Sequence, residues 1–231
     1  MYKKIGIICA SGEELAPFLP HIKNDATSER TMLTVHEGSI EGVPVAALFC
    51  GVCKVNAAVA AQVLIDNYGV DLIINAGTAG GIDNSLSVFD VVAGSSVAYH
   101  DVAEGVLTQF HPWKKSIWFD TAPQLIDAVR KAGDKLGKSI HIGRMVTGEA
   151  FITDDGRERI KRDFAPLSVD METAAMAHVC FLNKIDFVAI RAITDTEDCK
   201  GLGSFELNLR HASKISAEVT IAVLEELRDA Q

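Results

Sequence analysis

Two apolar runs joined by an alanine-rich stretch constrain this chain more than any other feature. The first closes as Leu167-Ser168-Val169-Asp170-Met171-Glu172, and the second reads Phe187-Val188-Ala189-Ile190-Arg191-Ala192-Ile193-Thr194-Asp195. Between them, residues 173–183 are rich in Ala, Met and Leu and read as a helix packed inside. Strand, helix and strand make a βαβ unit, whose strands are expected to run parallel because the helix returns the chain to its starting edge. Parallel strands carry binding and chemical groups at their C-terminal ends. Glu172, Arg191 and Asp195 are therefore expected at one rim of one sheet. Three charges gathered there are costly to desolvate unless they serve a ligand. The plainer alternative is an ion pair between Arg191 and a carboxylate that ties two strands together.

Short apolar runs between turn residues predict further strands over 4–10, 33–40, 43–50, 72–76, 90–99 and 140–146. The turn Glu41-Gly42 makes a hairpin of the second and third. Residues 56–68 place Ala57, Ala60, Ala61, Leu64, Ile65 and Tyr68 on one helical face, and residues 123–135 and 205–227 read as helices too. Strands alternating with helices around one long hairpin point to an α/β chain with a mixed sheet covered by helices. No composition shift or repeat divides the sequence, so a single domain over residues 1–231 is expected.

Apolar residues make up 48% of the chain, enough for a substantial core and against global disorder. No apolar run reaches the length of a membrane span, so no membrane partner is expected. The N-terminal apolar stretch is too short for the core of a secretory signal. Five cysteines, an odd number, make no disulfide framework, which predicts a reducing cytoplasm. A net charge of −9 argues against nucleic acid, which needs a basic footprint. The expected partner is a small molecule.

Asn75-Ala76-Gly77-Thr78-Ala79-Gly80-Gly81 follows an apolar strand and reads as a glycine-rich exit turn that lets backbone approach a ligand, with the Thr78 hydroxyl at its centre. It is neither G-x-G-x-x-G nor a P-loop, so a dinucleotide or triphosphate is poorly supported. Ser11-Gly12-Glu13-Glu14 puts a carboxylate pair after the first strand, either as helix N-terminal acids or with one facing a site. Cys50-Gly51-Val52-Cys53 has thioredoxin-like spacing, yet such domains are about half this size, and no second pair supports zinc; Cys9, Cys180 and Cys199 stand alone. The seven histidines show no ligand spacing; His100, beside Asp101, is expected to make a structural hydrogen bond. No motif implies a metal or organic cofactor. The stretch from Phe110-His111-Pro112-Trp113 to Trp118-Phe119 suggests a subunit interface or a pocket lid.

Taken together, these residues resemble a known family. Ile5-Gly6-Ile7-Ile8 with Glu14, Gly51 to Ala58, and Asn75 to Gly81 are similar to its first half. Tyr99-His100-Asp101, Gly148-Glu149-Ala150-Phe151-Ile152, Asp170-Met171-Glu172 and Arg191 to Asp195 are similar to its second. The family is 5′-methylthioadenosine/S-adenosylhomocysteine nucleosidase, within the purine nucleoside phosphorylase superfamily, and the resemblance spans essentially the whole chain in order. It implies a three-layer α/β/α fold with a central mixed β-sheet, a homodimer, and hydrolysis of the bond between adenine and ribose. By position, Asp195 would be the general acid on purine N7. Glu14 would hold and activate the attacking water, helped by Arg191 and Thr78, within the Thr78-Ala79-Gly80 stretch that borders substrate. Glu172 and Met171 would hold the ribose. Phe151 would stack on adenine, and the backbone of Ile152 would read its Watson–Crick edge. Val52 and Phe205 would border the ribose or its 5′ substituent, Ser11 would help line the 5′ pocket, and residues 102–110 would close the partner's pocket.

The chemistry suits these residue types. Cleavage builds positive charge on the sugar and negative charge on the departing base, which a proton on N7 relieves. Aspartate titrates near ~3.9, so the acid's site must raise that value, and Glu14 and Glu172 are expected to push it up. Phosphorylases of the superfamily use phosphate, which needs arginine forks. This chain has one arginine before residue 130, Arg30 in an expected loop, and Glu13 and Glu14 after the first strand, so water is the expected nucleophile. Departures from the family pattern are Ser11 for a common methionine, Cys53 for glycine, Thr78 for serine, Asp170 for glutamate, Thr173 for alanine, and a shorter, tryptophan-bearing segment after Asp101. Methylthioadenosine, homocysteinyl adenosine, 5′-deoxyadenosine and futalosine-type substrates therefore stay open. The competing classes are a nucleoside phosphorylase, a non-catalytic nucleoside-binding protein and a redox protein built on Cys50 and Cys53.

Overall fold

The computed structural model describes residues 2–103, 105–111, 113–152, 154–197 and 201–230. β1 (Ile5–Cys9) is apolar and buried at almost every position, as a strand covered on both faces must be. It leads into the single-turn α1 (Gly12–Leu15). β2 (Lys23–Arg30), β3 (Leu33–Ile40) and β4 (Val43–Phe49) form an antiparallel meander. The expected hairpin is there: Ile40 pairs with Val43, and Glu41 and Gly42 both take positive φ, the turn that matches strand twist. Arg30, expected in a loop, ends β2 instead.

α2 (Lys54–Tyr68) is followed by β5 (Leu72–Gly81) and β6 (Val91–Tyr99), then by the short α3 (Val106–Gln109) and β7 (Phe119–Asp120). Next come α4 (Pro123–Leu136), β8 (Ile140–Thr147), α5 (Asp154–Phe164), β9 (Ser168–Asp170), α6 (Thr173–Asn183), β10 (Asp186–Asp195) and α7 (Gly201–Asp229). All the strands join one mixed sheet in the order β10-β6-β8-β9-β5-β1-β4-β3-β2, with β7 beside β6. β10 also pairs with β5, so β5, β10, β6, β8 and β9 close into a ring from which β1 to β4 extend as an arm.

Alternate residues of the strands feed two cores. Ile7, Ile74 and Val188 pack with α1, α4 and α7 on one face, through Leu15, Val129, Val219 and Val223. Ile8, Ile73 and Ala189 pack with α2 and α6 on the other, through Ala57, Ala61, Leu64, Ala174 and Met176. The layers are therefore helix, mixed sheet, helix. A third, smaller cluster of Ile82, Val146, Ile160 and Val169 seats α5 on the ring.

Two sequence expectations are corrected. β9 and β10 are not parallel: β10 runs parallel to β5 and β9 antiparallel to it. The expectation assumed that both strands sit in an open sheet, whereas they flank the same strand of a closed ring. The glycine-rich segment is not an exit turn either. It continues β5 to Gly81, because Gly77 to Gly80 pair with Arg191 to Asp195 along the neighbouring strand.

α2 reaches the sheet closely because β1 has Gly6 there; a Cβ on Gly6 would stand 3.0 Å from Leu64 Cδ1. Leu64 is fully buried. Leu64→Ala is expected to lower unfolding free energy by about 2–5 kcal/mol in urea titration. A loss under about 1 kcal/mol would show that this contact does not seat the helix.

Candidate active site

The site begins where β1 ends. Ser11 caps α1 by accepting the Glu14 N–H at 3.3 Å, and this turn swings Glu14 inward while Glu13 faces solvent. The Glu14 carboxylate accepts the Ala10 N–H at 2.7 Å, the Thr78 N–H at 2.7 Å and the Thr78 hydroxyl at 2.8 Å. It can lie against β5 only because residue 77 is glycine. A Cβ there would stand 2.5 Å from the carboxylate, and Gly77 has φ +153°.

Arg191, on β10 opposite Gly77, is buried completely. One nitrogen, Nη2, lies 3.2 Å from Asp170 and 3.1 Å from Glu172. β9 makes this meeting possible. Running back along β5 with Val169 opposite Gly80, it delivers Asp170 and then Glu172 to the level of Arg191. The ion pair weighed from sequence is thus real, and it lies inside the site. Asp170 also accepts the Thr147 hydroxyl at 2.6 Å, the Thr173 N–H at 3.1 Å and the Thr173 hydroxyl. Glu172 accepts the Cys53 N–H at 2.9 Å through its other oxygen. Burial, opposed by Arg191, pushes the Glu172 carboxyl up to about 7.

Asp195 ends β10 and is 3% exposed. Burial holds its carboxyl above the usual range, opposed by the Thr194 hydroxyl at 2.9 Å and by Arg157 at 3.6 Å. Its elevation has a different cause from the one expected: desolvation leads, and neither Glu14 nor Glu172 contributes a resolved effect. Arg157 was not singled out in the sequence. The one available signal was its spacing with Ile160 and Phe164 at i, i+3 and i+7, which turns it toward the ring.

These groups surround a cavity of about 260 Å³. Ser11, Glu14, Val52, Thr78, Ala79, Gly80, Phe151, Ile152, Met171, Glu172, Arg191, Asp195 and Phe205 all line it, so the residues expected at the site meet there. The Phe151 and Phe205 rings stand edge to face, with centroids 6.2 Å apart. Ala10, Ala150, Val169 and Leu202 add apolar wall that the sequence did not single out. A flat, partly polar ligand suits this lining: carboxyl groups at one side, aromatic rings at another, and one acid held apart from the rest.

The competing motifs have other roles. Cys50 and Cys53 are free thiols, and burial pushes both above the ordinary range, opposite to the activation a redox cysteine needs. Cys199 lies outside the described residues. Among the described residues His100 has no side-chain hydrogen-bond partner, contrary to expectation; its ring is packed over Gly148, where a Cβ would stand 2.2 Å from Nε2. Asp101 pairs with Lys54 at 2.8 Å and accepts the Glu149 N–H at 2.9 Å, which ties the segment leading to Phe151 to the start of α2.

Residues 4–225 match the family described as the Phosphorylase superfamily. The chain is 35% identical to the 5′-methylthioadenosine/S-adenosylhomocysteine nucleosidase of Actinobacillus succinogenes, over 97% of this chain and 99% of that one. It is similar to the solved nucleosidase of S. pneumoniae with the transition-state inhibitor MT-ImmA, at 31% identity and TM-score 0.88 over 97% and 99% of the two chains. The nucleosidase of Neisseria meningitidis in complex with methylthio-immucillin-A gives 30% identity and TM-score 0.89 over 96% and 99%. Futalosine hydrolase of Helicobacter pylori shares the fold, at TM-score 0.88 and 23% identity over 97% and 98%. A likeness that runs the length of the chain, and a cavity that gathers a buried Asp–Arg–Glu set, Glu14 and a separate aspartic acid, place this protein in the phosphorylase superfamily and, within it, among the 5′-methylthioadenosine/S-adenosylhomocysteine nucleosidases.

Proposed function

We propose that the chain, acting as one domain over residues 1–231, hydrolyses the N-glycosidic bond of 5′-methylthioadenosine, S-adenosylhomocysteine or both, releasing adenine. The observation that carries this reading is the pairing of two differently held carboxyl groups across one cavity. Glu14 is fixed by three hydrogen bonds beside Thr78, while Asp195 is buried with its carboxyl raised. Asp195 gives its proton to purine N7. The C1′–N9 bond breaks with its electron pair going to the base, and water held by Glu14, Thr78 and Arg191 adds to C1′ as its proton passes to Glu14. Glu172 and Met171 hold the ribose hydroxyls and its face, and the negative charges nearby offset the cationic sugar. Phe151 stacks on the base, and the Ile152 backbone reads its edge.

Water is favoured over phosphate for a physical reason. Arg191 Nη2 is already shared by Asp170 and Glu172, and a buried carboxylate stands where an anion would have to enter. The apolar wall of Ala10, Val52, Leu202 and Phe205, completed by Ser11, suits a thioether at the 5′ position; 5′-deoxyadenosine would fit the same wall. No metal or organic cofactor takes part in this scheme. The step would belong to purine nucleoside catabolism and methionine salvage in the cytoplasm, a setting that suits four free cysteines among the described residues.

A homodimer is the proposed assembly. Val55 and Val59 on α2 and Phe181 and Leu182 on α6 are exposed on packed neighbouring helices. His111 and Phe119 both pack on His178 of α6, and through them the exposed Trp113 joins this apolar face. Glu104 of the 102–110 segment and Pro112 of the aromatic segment lie outside the described residues. Val52, just before α2, is exposed and also lines the cavity, so a partner seated on this face would border the substrate, with residues 102–110 closing its pocket.

Adenine release from 5′-methylthioadenosine is expected without phosphate, and Asp195→Asn should lower kcat by about 10²–10⁴-fold. Release only in the presence of phosphate would make the chain a phosphorylase. The rate should fall on the alkaline side as Asp195 loses its proton, and a flat profile there would argue against this acid. Val55→Lys with Phe181→Lys is expected to give monomers in light scattering, with activity lost alongside. An active monomer would show that the partner does not complete the pocket.

A further inference from the structure

Arg157 lies behind the proposed acid rather than in the cavity wall. It is 5% exposed, on the face of α5 that Ile160 anchors in the cluster with Ile82, Val146 and Val169. Its Nη1 donates to the Gly81 carbonyl, and its Nη2 lies 3.6 Å from Asp195 Oδ2. The carboxyl group within its reach is Asp195, and the other buried guanidinium beside the cavity, Arg191, is engaged by Asp170 and Glu172. Among the described charged groups on the surrounding elements, Glu14 of α1 is bonded to Ala10 and Thr78, and Lys161 of α5 reaches Asn84 and Glu197. Glu172 is held by Cys53 and Arg191. Arg157 is thus the one described cation within ion-pair distance of the acid.

We propose that Arg157 is a positioning residue that supplies the countercharge for Asp195 as its proton passes to the purine. The inference rests on Asp195 being the general acid. In that step the carboxyl O–H bond breaks, an N7–H bond forms, and the O–H electron pair stays on Asp195 as a new buried carboxylate. Such a charge is unfavourable on a buried side chain unless a cation already stands beside it. Arg157 is fixed in advance by the Gly81 carbonyl, and Thr194 engages the other carboxylate oxygen at 2.9 Å. The pair stands at 3.6 Å, close enough to tighten when the charge appears. Burial keeps the acid protonated before reaction; Arg157 keeps it strong enough to give the proton away.

The test is the pH dependence of kcat and kcat/KM for 5′-methylthioadenosine hydrolysis in Arg157→Met, Arg157→Lys and Asp195→Asn. Removing the cation destabilises the carboxylate, so the alkaline limb of Arg157→Met should move up by about 1–3 pH units. kcat on the plateau should fall by up to about tenfold for each unit moved. Arg157→Lys, which keeps the charge and guards against a variant that does not fold, should place the limb between the two. The dissociation constant of the 7-deaza analogue of 5′-methylthioadenosine, which cannot accept the proton, should stay within about twofold in all Arg157 variants that fold, a range that corresponds to well under one pKa unit of interaction. A slower Arg157→Met or Arg157→Lys enzyme with an unmoved limb, or with analogue binding weakened in step with kcat, would overturn the proposal and leave Arg157 a structural role. An Asp195→Asn enzyme as fast as the parent would overturn the acid assignment itself, and this proposal with it.

Discussion

The buried guanidinium of Arg191 is the interaction on which the rest of the site depends. It is buried at the floor of the cavity, so its charge must be answered inside the protein, and Asp170 and Glu172 answer it from a different strand and the residues after it. Asp170 in turn holds Thr147 of β8 and both the N–H and the hydroxyl of Thr173 at the start of α6. Thr173 passes the chain of bonds to Asn75 of β5 at 2.7 Å, and Asn75 to the Ile8 carbonyl of β1 at 3.0 Å. One polar network therefore joins β1, β5, β8, β9 and β10 across the ring. Breaking one side of a buried pair of this kind leaves an uncompensated charge and costs about 3–5 kcal/mol, whereas the same charges at a surface would be worth little.

Small residues let this network share space with a ligand. β5 carries Ala76-Gly77-Thr78-Ala79-Gly80-Gly81, and two of the cavity's carboxyl groups, Glu14 and Asp195, press against its glycines. A Cβ at residue 80 would stand 3.2 Å from Asp195, as one at 77 would collide with Glu14. The strand gives up side-chain packing along that stretch, and Ser216 of α7 compensates by accepting the Gly77 N–H at 2.9 Å and donating to the Ile190 carbonyl at 2.9 Å. Ordinary side chains on β5 would have left a well-packed ring with no room for either acid.

Much of this was legible in the sequence, and the failures share a physical origin. Residues 173–183 were read as a helix to the residue, because an apolar stretch between two strands has few other options. The strands with apolar runs were found for the same reason. β2 was not, since Lys-Asn-Asp-Ala-Thr-Ser-Glu-Arg has no apolar alternation; its backbone bonds to β3 hold it, and its charges suit an exposed edge. The direction of β9 was misread because the closure of β5 onto β10 is a long-range pairing that local patterns do not encode. Even so, Glu172, Arg191 and Asp195 meet as expected: the ring brings together what an open parallel sheet would have aligned. Arg157 escaped because a polar helix with four basic residues between positions 157 and 162 reads as solvated, and only its docking through Ile160 turns one arginine inward.

The balance of charge around the cavity links the fold to the chemistry. Glu14, Asp170, Glu172 and Asp195 are four buried carboxyl groups, and Arg191 and Arg157 are two buried guanidiniums. Arg191 lies between Asp170 and Glu172, and Arg157 lies behind Asp195. Burial reduces this excess without removing it, raising Glu172 to about 7 and Asp195 in the same direction. A site with more acid than base repels an anionic nucleophile and welcomes the positive charge that grows on a sugar as its base departs. The same excess that would be a liability in a core becomes, at the end of β5, the reason that water and an oxocarbenium-like sugar are the species such a pocket is built to hold.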